Sequence, residues 1–307
     1  LYGRNTIGGA IKYVTKRLGR EPALSLEGSY GSFNQADFIA SGELPVGETL
    51  AVGASVASFN RDGFGENRNL GEDNYDKDIL AFRASAEWQP TYNLFVRLAG
   101  DYTDDDSNPR AGHRLIPGLF SGAPVLDDVY DSRSGMTGEN SAEQYGGSLL
   151  VEYDLTPNLL FKSITAYRED ENRQQIDFEA LPARDLDVPV IYENEQFSQE
   201  LQLAYSGDGI SGVAGFYYLD ANAFNVFDVI LGTTGDLIGL PGLNAFSLAD
   251  VDTESWSLFT DISFDLADFF GLETGLELTL GGRYTVDERS ARILRQTLIG
   301  GNSSFFG

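Results

Sequence analysis

The chain has 307 residues, with 47 acidic against 21 basic side chains and a net charge of −26. That charge repels a phosphate backbone and excludes nucleic acid as a partner, and the absence of cysteine removes disulfides and thiolate metal sites. With 42% hydrophobic residues, 20 Phe, 15 Tyr and 2 Trp, it is too apolar for a disordered acidic chain, and no run of 18 apolar residues offers a helical membrane span.

The first eighteen residues differ in character from the rest of the chain. Leu1-Tyr-Gly-Arg-Asn-Thr-Ile-Gly-Gly-Ala-Ile-Lys-Tyr-Val-Thr-Lys16 is a polar, glycine-rich turn leading into a short expected strand, Ala10–Thr15, and then the basic pair Lys16 and Arg17. Gly8 and Gly9 suit close backbone packing or a positive φ. Arg4 is a candidate for pairing with a carboxylate elsewhere in the fold. With Met136 as its only methionine and a start inside a motif, the chain is expected to be a piece of a longer protein.

From residue 19 on the hydrophobic period is two. In Leu80-Ala-Phe-Arg-Ala-Ser-Ala-Glu-Trp88 the even positions are apolar while Arg83, Ser85 and Glu87 face the other way. Leu94–Tyr102, Phe197–Tyr205, Trp256–Phe264 and Leu276–Asp287 repeat the rule. Ten or eleven such strands are expected, longer than the roughly 5–6 residues of globular sheets and close to the 9–11 that a tilted strand needs to cross a bilayer. Several end in aromatics (Trp88, Tyr92, Tyr102, Tyr153, Tyr167, Tyr205, Tyr284), which suits a girdle at headgroup depth.

The connections alternate. Short links at Pro45–Thr49, Gln89–Tyr92, Asp154–Asn158, Gly207–Gly212 and Leu266–Glu273 interleave with long ones at Arg61–Tyr75, Asp104–Ala142, Glu171–Asn194 and Phe224–Val251. Turns on one rim and loops on the other are the layout of an outer-membrane barrel. The opposite strand face carries Arg83, Glu87, Arg97, Asp101, Glu152, Glu200, Asp261, Glu277, Arg283 and Asp287. It lines a wet lumen in a membrane barrel or meets solvent in a soluble sandwich, and period-two patterning alone does not separate the two.

The long loops hold the remaining candidates. Asp104-Asp105-Asp106 offers oxygen ligands for Ca²⁺ or Mg²⁺ but in no calcium-loop register, and a solvated acidic loop is the simpler expectation. His113 is the only histidine, flanked by Arg110 and Arg114; the three are candidates to meet an anionic metal chelate. Gly63-Phe-Gly65 lacks the third glycine and the strand-to-helix context of a dinucleotide fingerprint. Phe224, Phe227, Ile230 and Leu231 are expected to pack in a loop over the mouth. With one histidine and no nucleophile elbow, no catalytic residue is assigned.

The stretch LYGRNTIGGAI, followed downstream by Phe197-Ser-Gln-Glu-Leu-Gln-Leu, Val213-Ala-Gly-Phe-Tyr-Tyr and Leu280-Gly-Gly-Arg-Tyr-Thr-Val-Asp-Glu288, resembles TonB-dependent outer-membrane receptors over essentially the whole chain. The resemblance implies an all-β fold, an antiparallel transmembrane β-barrel. Residues 1–18 would be the C-terminal end of a plug domain and 19–307 about 11 of 22 strands. It implies energy-coupled uptake of an iron complex such as a ferric siderophore, with Arg4 in a plug–barrel contact and Arg110, His113 and Arg114 toward the ligand. The expected partners are the chelate, the inner-membrane TonB complex reached through a region this chain lacks, and outer-membrane lipid and lipopolysaccharide. The location is the outer membrane of a Gram-negative bacterium, with no cofactor, no resident metal and no enzymatic activity. A barrel half with open edges is not expected to function alone. The alternatives are a passive porin-like barrel, against which Leu1–Lys16 speaks, and a secreted β-sandwich binding protein.

Overall fold

The computed structural model describes residues 15–108, 111–136, 140–266, 275–300 and 306. Its strands are β1 (Ala23–Tyr30), β2 (Ala36–Val46), β3 (Leu50–Arg61), β4 (Gly65–Asn67), β5 (Glu72–Asn74), β6 (Lys77–Thr91) and β7 (Leu94–Asp105). They continue with β8 (Ser141–Thr156), β9 (Leu159–Asp177), β10 (Asp185–Gly207), β11 (Ile210–Leu231), β12 (Asn244–Asp265) and β13 (Glu277–Leu298), with a single helical turn, α1 (Gly232–Leu237), before β12. Apart from the small β4–β5 hairpin, all strands lie in one 11-stranded sheet in chain order, each antiparallel to the next. A β-sandwich would divide these strands between two packed sheets. The expected antiparallel barrel wall is what the strands form, and β1 and β13 are its two open edges.

The register shows why alternation was readable. Glu87, Arg97, Leu150, Ile164 and Glu200 are successive partners across β6 to β10 and share one face. On the other face Leu44, Val52, Ala86, Leu98 and Leu149 form the corresponding row. Tyr153 and Tyr145 on β8, like Tyr205 and Phe197 on β10, point to this second face eight residues apart. At ~3.3 Å per residue that spacing is about 26 Å, close to the ~25 Å apolar band of a membrane barrel. Beyond the Tyr167–Phe197 pair, from the level where Tyr145 partners Glu169, the same face turns acidic with Glu169, Glu171, Glu193 and Glu195. Trp88, Tyr102, Tyr153, Tyr167 and Tyr205 therefore sit in two rows, as expected of girdles. Tyr284 departs from them: it pairs with Leu258 midway along the band, its ring 5.8 Å from Trp256.

One polar patch interrupts the apolar face. Thr165 and Gln199 are direct cross-strand partners. Thr165 Oγ1 donates to Gln199 Oε1 (2.6 Å) and Gln199 Nε2 to Ser163 Oγ (3.0 Å), so the patch satisfies itself, as polar side chains set in an apolar face must.

Two of the expected long loops are largely strand. β9 runs on to Asp177 and β10 begins at Asp185, leaving 178–184 as the link; β11 reaches Leu231 and β12 starts at Asn244. Beyond the apolar band both faces of a strand meet water or loop, so alternation fades while backbone pairing continues. Residues 224–231 accordingly belong to a strand, where Phe224 packs against Ile191, Val226 and Phe246 in a small hydrophobic cluster on the outward side. The 22 residues of β13 run about 70 Å, far more than a bilayer crossing requires.

The links from β2 to β3, β6 to β7, β8 to β9 and β10 to β11 are short, as their sequences suggest; the expected link Leu266–Glu273 lies, apart from Leu266, outside the described residues. Gly47 takes φ +72° in the β2–β3 turn, a conformation that costs glycine little.

Candidate functional site

Two regions of the polar face hold converging side chains. The first lies near the short-turn rim, where residues 15–19 run across the wall. Arg17 pairs with Glu152 (2.7 Å) and its guanidinium lies 4.0 Å from the Phe95 ring centroid. The backbone N–H groups of Leu18 and Gly19 donate to Glu87 Oε2 (3.1 Å) and Glu43 Oε2 (3.0 Å). Glu87 also pairs with Arg97 (2.6 Å) and Glu152 with Lys162 (2.8 Å). Leu18 fits because Gly53 faces it: a β-carbon there would stand 2.6 Å from Leu18 Cδ2. Three wall carboxylates from β2, β6 and β8 are thus each matched to the incoming segment. The basic pair Lys16 and Arg17 was visible in the sequence, but the partner of Arg17 is 135 residues away.

The second region is the loop-side mouth. The 62–76 and 106–140 links lock together through Phe64, which stacks on Tyr75 (4.8 Å, 22°) and meets Tyr130 edge-on (5.0 Å, 88°). Arg61 covers the Phe64 ring at 5.0 Å. Asn67 bridges to Ser132, and Arg68 pairs with Asp131 (2.5 Å), which also accepts from Glu66 N (3.0 Å). Gly65 is required here, since a β-carbon would stand 2.1 Å from Tyr130 O. The Gly63-Phe-Gly65 triplet therefore serves loop packing. Beneath these loops lies a polar cleft of about 390 Å³, lined by residues including Asn67, Asn74, Ser107, Asn140, Asn172 and Gln174.

The expected ligand residues divide. Arg110 and Arg4 lie outside the described residues, as does the expected strand Ala10–Thr15 apart from Thr15. His113 is half-buried with its Nδ1 buried and unpartnered among the described residues. Arg114 donates to Ile116 O (3.3 Å) and, across the mouth, to Glu179 O (2.8 Å). The Asp104-Asp105-Asp106 run is not among the acidic groups that converge: Asp104 and Asp105 are consecutive in β7 and alternate between faces, Asp105 accepts from Ser107 N (3.0 Å), and burial first, then the neighbouring Asp104, holds the Asp106 carboxyl above its usual range. A different acidic group does converge: Asp177, Glu179 and Asp187 bring a carboxylate oxygen each within 4.8 Å of one another. Sequence reasoning missed these three and the Phe64–Tyr75–Tyr130 cluster, since no fixed spacing announces either.

A single sheet with an outward apolar band, turns on one rim and interlocked loops on the other has the layout of a β-barrel wall of the outer-membrane type. No family model matches the sequence. Among solved structures, the ferripyoverdine receptor of the outer membrane of Pseudomonas aeruginosa superposes with TM-score 0.68 at 14% identity, over 92% of this chain and 39% of that one. The ferric yersiniabactin uptake receptor of Yersinia pestis gives 0.60 at 16%, over 91% and 45%. The siderophore receptor PiuA of Acinetobacter baumannii gives 0.56 at 13%, over 95% and 49%. The chain thus has the fold of part of a siderophore-receptor barrel and spans less than half the length of each of these proteins.

Proposed function

We propose that this chain is part of an outer-membrane receptor of a Gram-negative bacterium that takes up an iron complex, with ferric siderophores as the leading class. The observation that carries the reading is the 15–19 segment laid against the polar wall, joined to a fold shared with siderophore receptors. An open porin needs no such segment; here Glu43, Glu87 and Glu152 hold it by two backbone N–H groups and a guanidinium. Residues 1–18 would end a plug that fills the lumen, and Arg4 would make a further plug–barrel contact.

In this reading the chemistry is binding and release. Arg114 shapes the mouth by tying the 106–140 link to the 178–184 link, while His113 and Arg110 would be the residues to meet the arriving chelate. Energy from an inner-membrane TonB-type complex would then shift the plug, loosening the contacts of residues 15–19 with the wall. Lipid and lipopolysaccharide would surround the outward face.

The test is growth and radioactive-iron uptake by a gene-deletion strain, with and without the full-length gene, on a panel of siderophores as sole iron source. Loss of uptake for one siderophore class, restored by the gene, is expected. Equal uptake of every siderophore with and without the gene would overturn the reading.

A further inference from the structure

The link between β9 and β10 gathers Asp177, Glu179, Asp185 and Asp187 within eleven residues of chain. The level of Phe197, where the outward face of β10 turns from apolar to acidic, lies ten residues from Asp187, roughly 33 Å along the strand. The cluster therefore sits well outside the membrane band.

Most of its oxygens have assigned work. Asp177 Oδ1 accepts from Glu179 N (2.9 Å) and Ala180 N (2.7 Å), and its Oδ2 from Gly135 N (3.2 Å). Glu179 Oε1 accepts from Asp185 N (3.1 Å), and Asp185 accepts from Thr234 N (3.0 Å) and Thr234 Oγ1 (2.8 Å). Asp187 is different. It is 1% exposed, and neither of its carboxylate oxygens has a hydrogen-bond partner among the described residues. A buried carboxylate with both oxygens unpartnered must be neutral or must meet a cation.

Arg184 opposes the negative field at Asp187, but Asp177 and Asp185 reinforce it. Arg114 meets the backbone carbonyls of Ile116 and Glu179 rather than a carboxylate of the cluster. The charge around Asp187 remains strongly negative, and an oxygen that accepts one N–H keeps a second lone pair for a metal.

We infer that Asp177, Glu179 and Asp187 form a binding site for a hard divalent cation, Ca²⁺ foremost. The donor set is all carboxylate oxygen, which suits Ca²⁺ and Mg²⁺ rather than soft metals. Ca²⁺ tolerates irregular geometry, whereas Mg²⁺ demands a near-ideal octahedron, so a site already bent by N–H bonds to Asp177 and Glu179 favours the larger ion. Three protein carboxylates leave coordination positions for water or backbone carbonyls. Bound there, the ion joins the end of β9 to the start of β10 and, through Gly135 on Asp177, steadies the 106–140 link. The site stands independently of the receptor reading.

The experiment is thermal unfolding of the full-length protein in detergent, first stripped with EDTA and then titrated with CaCl₂ at pH 7.5. The wild type should show a saturable rise in Tm with a half-effect at about 10⁻⁴–10⁻³ M, the range of extracellular Ca²⁺ modules. Asp187→Asn keeps the shape of a neutral acid and removes the charge; its half-effect should move up at least about tenfold. Asp104→Asn, an acid outside the cluster, should titrate like the wild type. The inference is overturned by a wild type with no saturable rise, by Asp187→Asn titrating as the wild type does, or by Asp104→Asn losing as much. Should Asp187→Asn fail to fold, Glu179→Gln takes its place with the same two outcomes.

Discussion

The two ends of this sheet treat their carboxylates in opposite ways. Near the short-turn rim, Glu87 is only 7% exposed, yet it meets Arg97 and the Leu18 N–H; Glu152 meets Arg17 and Lys162. At the loop-side end Asp187 is buried more deeply and meets no donor among the described residues. Burial alone therefore does not set the fate of an acid. The partner does, and at the wall the chain supplies it while at the mouth it supplies only more negative charge.

The comparison is broken most severely by unpairing the wall. Arg97→Leu leaves Glu87 buried against one backbone N–H, and loss of about 3 kcal/mol of stability is expected, as for one partner removed from a buried pair. Denaturant unfolding of the full-length protein measures it, and a loss below that of an exposed pair would mean that water reaches Glu87 freely. At the mouth, Gly65→Val drives a side chain into Tyr130 O and should cost about 2 kcal/mol. It should also speed proteolytic cleavage within the 106–140 link, whereas wild-type cleavage rates would show that the link does not lean on Gly65.

A smaller effect separates the two ends by pH. Burial first, and then the neighbouring Asp177, push the Asp187 and Glu179 carboxyls each up to about 7. Between the ordinary carboxylate range and pH 7 the folded state then holds more protons than the unfolded one, so stability present at low pH is lost as pH rises through about 7. In EDTA the Tm should fall from pH 5 to pH 8, and Ca²⁺ should reverse that fall by replacing the protons. The same pH series on Asp187→Asn should be flatter, and an unchanged slope would remove Asp187 from the account. The smallest effect belongs to Arg173, whose pair with Glu171 (2.5 Å) is 57% and 44% exposed. Arg173→Ala should stay within about 0.5 kcal/mol of the wild type, and a larger loss would reveal a partner for Arg173 beyond that pair.

How far the sequence could be read depends on the solvent at each side of a strand. Within the apolar band one face is aliphatic and aromatic and the other polar, so Leu80–Trp88 and Leu94–Tyr102 declare themselves by alternation. Beyond Glu195 both faces are wet or covered by loops, and the pattern that marks a strand disappears although β10 continues to Asp185. Glu171–Asn194 and Phe224–Val251 read as loops for that reason, although most of their residues belong to β9, β10, β11 and β12. The site residues were less legible still. Arg114 stood out beside His113 as a candidate for an anion, but its guanidinium is bonded to two carbonyl oxygens. Arg17 carried no sign of the wall carboxylate it meets, because a contact between residues 17 and 152 is set by strand order alone.

By itself the sequence determined the antiparallel all-β architecture, the short and long rims and the apolar outward band, because these depend on local period and on turn residues along one chain. Only the tertiary structure decided which acids share a space. The Asp104-Asp105-Asp106 run, conspicuous in the sequence, is divided where Asp104 and Asp105 take opposite faces of β7 and Asp106 leaves the strand. Asp177, Glu179 and Asp187 converge because β9 and β10 pair and the link between them folds back. Electrostatic interaction depends on distance through space, and that distance exists only once the strands are in register.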